Sequence, residues 1–140
     1  AEYITLIVNA MGIELTESKG TIFKDIDASQ WYSDAVETGF YSGLVSGNLD
    51  GNFRPDDVIS RNEVAVILSN LQEGTSSQNL FDLAFADSNE VPEWAMSGVK
   101  FVAREGLMIG GGDNMFRGYN SLSRAEAAVV VYSYLNRFNK

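Results

Sequence analysis

The sequence predicts an all-α fold made of helix-loop-helix repeats. Three observations predict it. A pattern recurs with a period of about 63 residues. Apolar residues recur at helical spacing in three segments. Two of those segments open on Ser-x-x-Glu, the signature of a capped helix start.

Residues 23–71 echo residues 85–135: Phe23 matches Phe85, Asp25 matches Asp87, and Trp31 matches Trp94. Gly43-Leu44 matches Gly106-Leu107, Gly47 matches Gly110, and Phe53-Arg54 matches Phe116-Arg117. Ser60-Arg61 matches Ser123-Arg124, and Glu63 matches Glu126. The N-terminal segment, AEYITLIVNAMG, aligns with the end of each repeat, placing Glu2 where Glu63 and Glu126 stand. The organisation is therefore 1–22, the closing helix of a partial first repeat plus connector, then a second repeat over 23–84 and a third over 85–140.

Each whole repeat reads as two helices and a loop. The first helix is expected from Trp31 to Ser42, with Val36 and Phe40 on one face and Gly43 as a left-handed cap. Its counterpart is expected from Pro92 to Glu105, with Pro92 in the first turn and Gly106 at the end. The closing helices open at Ser60 and Ser123, where serine accepts from the N3 amide and Glu63 or Glu126 reaches back. Val64, Ile67, Leu68 and Leu71 form one stripe, and Ala127, Val130, Val131 and Tyr134 the equivalent one. Tyr3, Leu6, Ile7 and Ala10 take the same places in the N-terminal helix. Three such helices invite a pseudo-threefold core. Residues 14–21 and 74–80 read as polar connectors.

Composition limits the chemistry. The 140 residues are 45% hydrophobic and 21% charged, as in folded globular domains. No apolar run is long enough to insert in a membrane. A net charge of −9 argues against nucleic acid, which needs a basic face. With no cysteine and no histidine, thiolate catalysis, Cys/His zinc sites and histidine triads are excluded, and no cofactor is called for. The chain opens at Ala1-Glu2-Tyr3 without a signal peptide, which reads as a mature or excised piece.

The sequence admits three rival functions. Ser46, Asn48, Asp50 and Asp57 can be set at calcium-loop positions around Gly51. The echo of that loop at 109–120 keeps a single carboxylate, Asp113, so a metal site is not expected. No acid pair stands at matching positions to suggest a glycosidase, and the chain does not read as an enzyme. A structural helical repeat making protein contacts in a surface lattice remains open beside the reading that follows.

The pattern F-x-D, Trp, G-h-h-x-G, F-R-P and h-[ST]-R-x-E closely resembles the S-layer homology family. The pieces that carry it are Gly51-Asn52-Phe53-Arg54-Pro55, Ser60-Arg61-Asn62-Glu63 and Ser123-Arg124-Ala125-Glu126. The resemblance implies secretion and non-covalent anchoring to the bacterial cell wall or S-layer. The implied partner is an anionic secondary cell-wall polymer, often ending in pyruvylated N-acetylmannosamine, bound in grooves between repeats. It implies a ligand set of Arg61, Arg124, Trp94, Trp31, Gly110, Gly111 and Gly47. Asp25, Asp87, Ser60, Glu63, Ser123 and Glu126 would be supporting residues. The most complete groove would pair Arg61 with Trp94 and Gly110-Gly111, with Asp87 bracing the loop.

The chain departs from the family pattern at Asn62, where alanine is usual, and at Gly118, where the other repeat has Pro55. Serine replaces threonine in both caps, and the front half of the first repeat is absent. An upstream segment or a second chain is expected to supply it. The same residues also admit purely structural roles: the arginines as parts of helix caps, Trp31 and Trp94 as packing anchors, and Arg54 and Arg117 as partners of local carboxylates.

The chemistry of the implied groove is simple. Guanidinium bonds both oxygens of a carboxylate and stays charged. Arg61 and Arg124 stand in the first turn of a helix, where unpaired N–H groups and the dipole also favour an anion. An indole would stack on the apolar face of a sugar. One charge-assisted bond of this kind contributes about 1.5–3 kcal/mol.

Overall fold

The computed structural model describes residues 1–72, 83–110 and 112–138. It is all-α, and the described residues contain five α-helices and no strand. These are α1 (Glu2–Ala10), α2 (Ser33–Tyr41), α3 (Arg61–Asn70), α4 (Glu93–Arg104) and α5 (Arg124–Phe138), with a 3₁₀ turn over Ser88–Glu90. The connector at 74–80 and Gly111 lie outside the described residues. None of the described helices is long and apolar enough to cross a membrane.

The chain divides into two compact units, Ala1–Asp57 and Val58–Lys140. The division falls inside the second sequence repeat, between its loop and its closing helix. Each unit thus joins a closing helix to the first helix and loop of the repeat that follows.

In the first unit α1 packs on α2. Gly39 makes this possible, since a Cβ there would stand 2.9 Å from Cγ1 of Ile4. Consequently α1 buries Tyr3, Ile4, Ile7 and Val8. The expected stripe included Leu6 and Ala10; instead Leu6 is exposed and Ala10 half-buried. Contact with α2 draws the stripe toward Ile4 and Val8. The first helix of this unit is also shorter than expected. Trp31 and Tyr32 lie in a turn, and Ser33 begins the helix, its hydroxyl donating to the Ala28 and Gln30 carbonyls.

The segment 14–21 is more than a polar connector. Buried Glu37 of α2 accepts from the N–H groups of Lys19 (3.2 Å) and Gly20 (3.1 Å). Asp34 accepts from the Ser18 N–H at 2.8 Å, and the Thr38 hydroxyl accepts from Thr16 N–H at 2.8 Å. Polar side chains of α2 therefore pin the segment down and satisfy its backbone donors.

In the second unit α3 packs on α4. Gly98 lies against the α3 backbone, where a Cβ would stand 2.8 Å from the Val66 nitrogen and 2.9 Å from the Ala65 oxygen. Val64, Ala65, Ile67 and Leu68 of α3 are buried, as are Ala127, Val130, Val131 and Tyr134 of α5. Phe101 of α4 stacks on Phe138 of α5 with centroids 5.8 Å apart. Gln72 donates to the Tyr134 hydroxyl at 2.6 Å. Pro92 is the N-cap of α4 and not its first-turn residue, which is Glu93; its extended ψ of 155 places it just outside the helix.

Candidate functional site

Each loop between helices is built in the same way. Asp25 accepts from the N–H groups of Phe53 (2.8 Å) and Arg54 (2.7 Å). Asp87 accepts from those of Phe116 (2.8 Å) and Arg117 (2.8 Å). Arg54 and Arg117 occupy the left-handed region, at φ 60 and 56, a conformation costly for a residue with a Cβ. The paired aspartate bonds offset that cost. The arginine side chains then fold back onto loop carboxylates: Arg54 on Asp50 at 2.8 Å, and Arg117 on Asp113.

Burial alone would push the Asp87 carboxyl up. The amide donors of Phe116 and Arg117, helped by the Arg117 charge, outweigh it and hold the group below the usual carboxylate range.

The loop glycines are explained by the phenylalanines. A Cβ on Gly47 would overlap the ring of Phe23. One on Gly110 would meet Cε1 of Phe85 at 3.1 Å. Phe23 packs with Phe53, and Phe85 with Phe116, at 5.2 Å between centroids in both cases. The conserved geometry of the two loops is therefore an aromatic pair over a glycine, braced by an aspartate.

Arg61 joins one such loop to a helix start. Ser60 caps α3 with a full capping box: its hydroxyl accepts from the Glu63 N–H at 3.2 Å, and Glu63 accepts from the Ser60 N–H at 3.3 Å. Arg61 then leaves the first turn and enters the 109–117 loop. Its Nε donates to the Phe116 carbonyl (2.8 Å), and its Nη2 to the Ile109 carbonyl (3.0 Å). Nη1 pairs with Glu126 Oε2 at 3.2 Å. The guanidinium also lies over the Phe116 ring, 4.9 Å from its centroid. Burial lowers the affinity of this guanidinium for its proton, opposed by Glu126, and an arginine stays charged regardless.

Three of the five guanidinium N–H donors are committed in this way. The arrangement fixes a cation at the mouth of a loop, beside a helix N-terminus. Glu126 has two duties. It accepts from Arg61, and it belongs to the cap of α5, where its N–H donates to Ser123 Oγ at 3.1 Å and its carboxylate accepts from the Ser123 hydroxyl at 3.2 Å.

The second unit thus brings together Arg61, Ser60, Glu63, Asp87, Ser123, Glu126 and the loop beginning Ile109-Gly110. Arg124 stands exposed in the first turn of α5. Trp94, in the first turn of α4, is 59% exposed. In the first unit Trp31 is 68% exposed, its ring edge against Tyr32 at 5.3 Å. Neither indole is a buried packing anchor. Asp25 and Gly47 brace and floor the loop of that unit. Sequence reasoning missed Glu37 and the left-handed Arg54 and Arg117. The recurrence of Asp25 and Asp87 with Phe-Arg was the signal available for the second pair.

The structure defines a helical repeat module with a cation fixed at a helix start, and comparison with known proteins assigns it. The S-layer homology domain family matches residues 22–65 and 84–128, more than half of the chain. The chain belongs to that family, a family of cell-surface anchoring modules. It is similar to the surface-layer 125 kDa protein of Lysinibacillus sphaericus, with 31% identity over 93% of this chain and 11% of that protein. It is similar to the cellulosome-anchoring protein of Acetivibrio thermocellus, with 32% identity over 74% of this chain and 23% of that protein. It also resembles an amylopullulanase of Thermoanaerobacterium thermosulfurigenes, at 30% identity over 98% of this chain but only 7% of the relative. The chain thus spans a small part of the length of these relatives.

Proposed function

We propose that the chain holds a secreted protein on the bacterial cell wall by binding an anionic secondary cell-wall polymer. The observation that carries this reading is the fixed Arg61 guanidinium at the N-terminus of α3, in a chain of net charge −9. A half-buried guanidinium oriented by two carbonyls is pre-organised for a carboxylate in a way a free surface arginine is not. Contrary to the expectation from the sequence, the first-turn N–H groups of α3 do not add to it, because those of Arg61, Asn62 and Glu63 are taken by the Asn120 and Gly118 carbonyls and the Ser60 hydroxyl. The Glu126 carboxylate, 51% exposed, occupies the place a ligand carboxylate would take. In this reading the polymer carboxylate, such as a pyruvyl ketal, displaces Glu126 from Arg61 Nη1. Glu126 keeps its bond to Ser123. The exposed indole of Trp94 stacks on a sugar face, and the Gly110 backbone borders the site. Arg124, Trp31 and Gly47 would serve equivalent contacts elsewhere on the chain.

The test is co-sedimentation with cell-wall sacculi. The chain should pellet with sacculi that carry the secondary polymer and stay in solution with sacculi stripped of it. Arg61→Ala should weaken pelleting while the helical circular-dichroism signal persists. Equal pelleting with both kinds of wall would overturn the reading.

A further inference from the structure

Two departures from the repeat meet in space. Asn62 stands where α5 carries Ala125, and Gly118 stands where the other loop carries Pro55. In the structure they touch. Asn62 is fully buried, and a Cβ on Gly118 would stand 2.6 Å from its Nδ2 and closer still to its Cγ and Oδ1. We propose that Asn62 and Gly118 form a matched pair that decides which loop can dock on the start of α3. A loop with glycine at this position is admitted, and one carrying a side chain or proline there is excluded.

The contact cannot be relieved by drawing the two backbones apart. The Asn62 N–H donates to the Gly118 carbonyl at 2.8 Å, flanked by Arg61 N–H to the Asn120 carbonyl at 2.9 Å and Leu122 N–H to the Ile59 carbonyl at 3.0 Å. An isolated antiparallel bridge, Ser60 with Ser121, completes the seam. Turning the Asn62 amide does not help either. Its Cγ is itself overlapped, and the side chain has no accessible surface to move into.

The first unit makes one bond of this seam with the other pairing. There the Ala1 amine donates to the Pro55 carbonyl at 2.7 Å, as the Asn62 N–H does to the Gly118 carbonyl, and the two residues are alanine and proline. That one bond is shared, and the residue pair differs. Ala with Pro and Asn with Gly are each compatible, whereas Asn with Pro is not.

Asn62 is a poor choice for stability alone. Neither its Oδ1 nor its Nδ2 has a hydrogen-bond partner among the described residues, which is rare for a buried amide. A residue that is costly in the right pairing and worse in the wrong one is the mark of discrimination against alternatives. The alternatives are close at hand, because the chain carries a second loop of the same build, at Arg54-Pro55, and every further copy of the chain carries both.

A double-mutant cycle tests this. Gly118 has no positive φ, so a Gly118→Ala change is not strained by backbone conformation. Gly118→Ala should lower the thermal midpoint by several degrees in the natural chain. In an Asn62→Ala background the same change should be neutral or raise it, because the alanine then only restricts the unfolded chain. Asn62→Ala with Gly118→Pro, which recreates the first unit's pairing, should unfold at a higher temperature than Gly118→Pro alone. Equal loss from Gly118→Ala in both backgrounds would overturn the proposal, as would no loss in the natural chain. An Asn62→Ala protein that fails to fold would overturn it too, since Asn62 would then be required in its own right.

Discussion

Arg61 at the start of α3 is ion-paired to Glu126, the capping residue of α5, at 3.2 Å. The pair links the cation of one repeat to the helix cap of the next, and it is half open to solvent on the glutamate side. Solvent screens such a pair, so its own contribution is below about 1 kcal/mol. Glu126→Gln keeps an acceptor for the cap and removes the competing charge. Its unfolding free energy in urea should fall by less than about 1 kcal/mol, and its co-sedimentation with polymer-bearing sacculi should tighten. Weaker sedimentation would mean that Glu126 aids binding and does not guard the site.

Much of this arrangement is legible in the sequence. Ser-x-x-Glu at 60–63 and 123–126 specifies both helix starts, because the cap is a local bond pattern. Gly43 and Gly106 mark helix ends for the same reason, each at positive φ. What was not legible depends on partners distant in sequence. The burial of Ile4 in place of Ala10 follows from Gly39 of α2, and the burial of Glu37 follows from backbone donors 17 or 18 residues away. The meeting of Asn62 with Gly118 is of this kind: each looked like an isolated departure, and only the fold pairs them.

Asp87 has consequences for acid stability. Its carboxyl is held below the ordinary range by the Phe116 and Arg117 amides against the effect of burial. A depressed folded-state pKa contributes stability above the unfolded value, about 3.9, and loses it as pH falls through the folded value. Unfolding free energy should therefore drop as pH is lowered below about 4. Asp87→Asn should cost about 1–3 kcal/mol at pH 7 and should show a shallower acid limb. The slope should not vanish, since Asp50, Asp113 and Glu105 are also held low, by backbone bonds or arginine partners. Urea titrations at pH 7 and below pH 4 check both points, and an unchanged acid limb would place the effect elsewhere.

Gly98 and Gly106 separate two reasons for being glycine. Gly98 lies inside α4, where alanine would gain about 1 kcal/mol of helix propensity. Its Cβ, however, would press on the α3 backbone at 2.8–2.9 Å, and backbone cannot rotate away. Gly98→Ala should therefore lose about 1–3 kcal/mol net through overpacking. Gly106 has nothing within 4 Å of a Cβ but sits at φ +68. Gly106→Ala should cost about 1 kcal/mol from the left-handed conformation alone, and Gly106→Asn should recover part of it. Chemical denaturation of the three variants orders them, and a stabilised Gly98→Ala would show that α4 and α3 have room to separate.

Trp94 decides between a packing and a binding role for the exposed indoles. At 59% exposure it buries too little for a packing anchor, so Trp94→Ala should change unfolding free energy by no more than about 0.5–1 kcal/mol. A large aromatic left in water by an otherwise well-packed domain is suited to a sugar face, where stacking recovers the apolar contact that the fold leaves unused. Sedimentation with polymer-bearing sacculi should therefore fall several-fold in Trp94→Ala while the thermal midpoint stays close to that of the natural chain. Trp94→Phe, which keeps an aromatic face of smaller area, should lie between the two. If Trp94→Ala instead lowered the midpoint as far as Gly98→Ala does and left sedimentation intact, the indole would be a structural residue and Arg61 would bind its carboxylate without it.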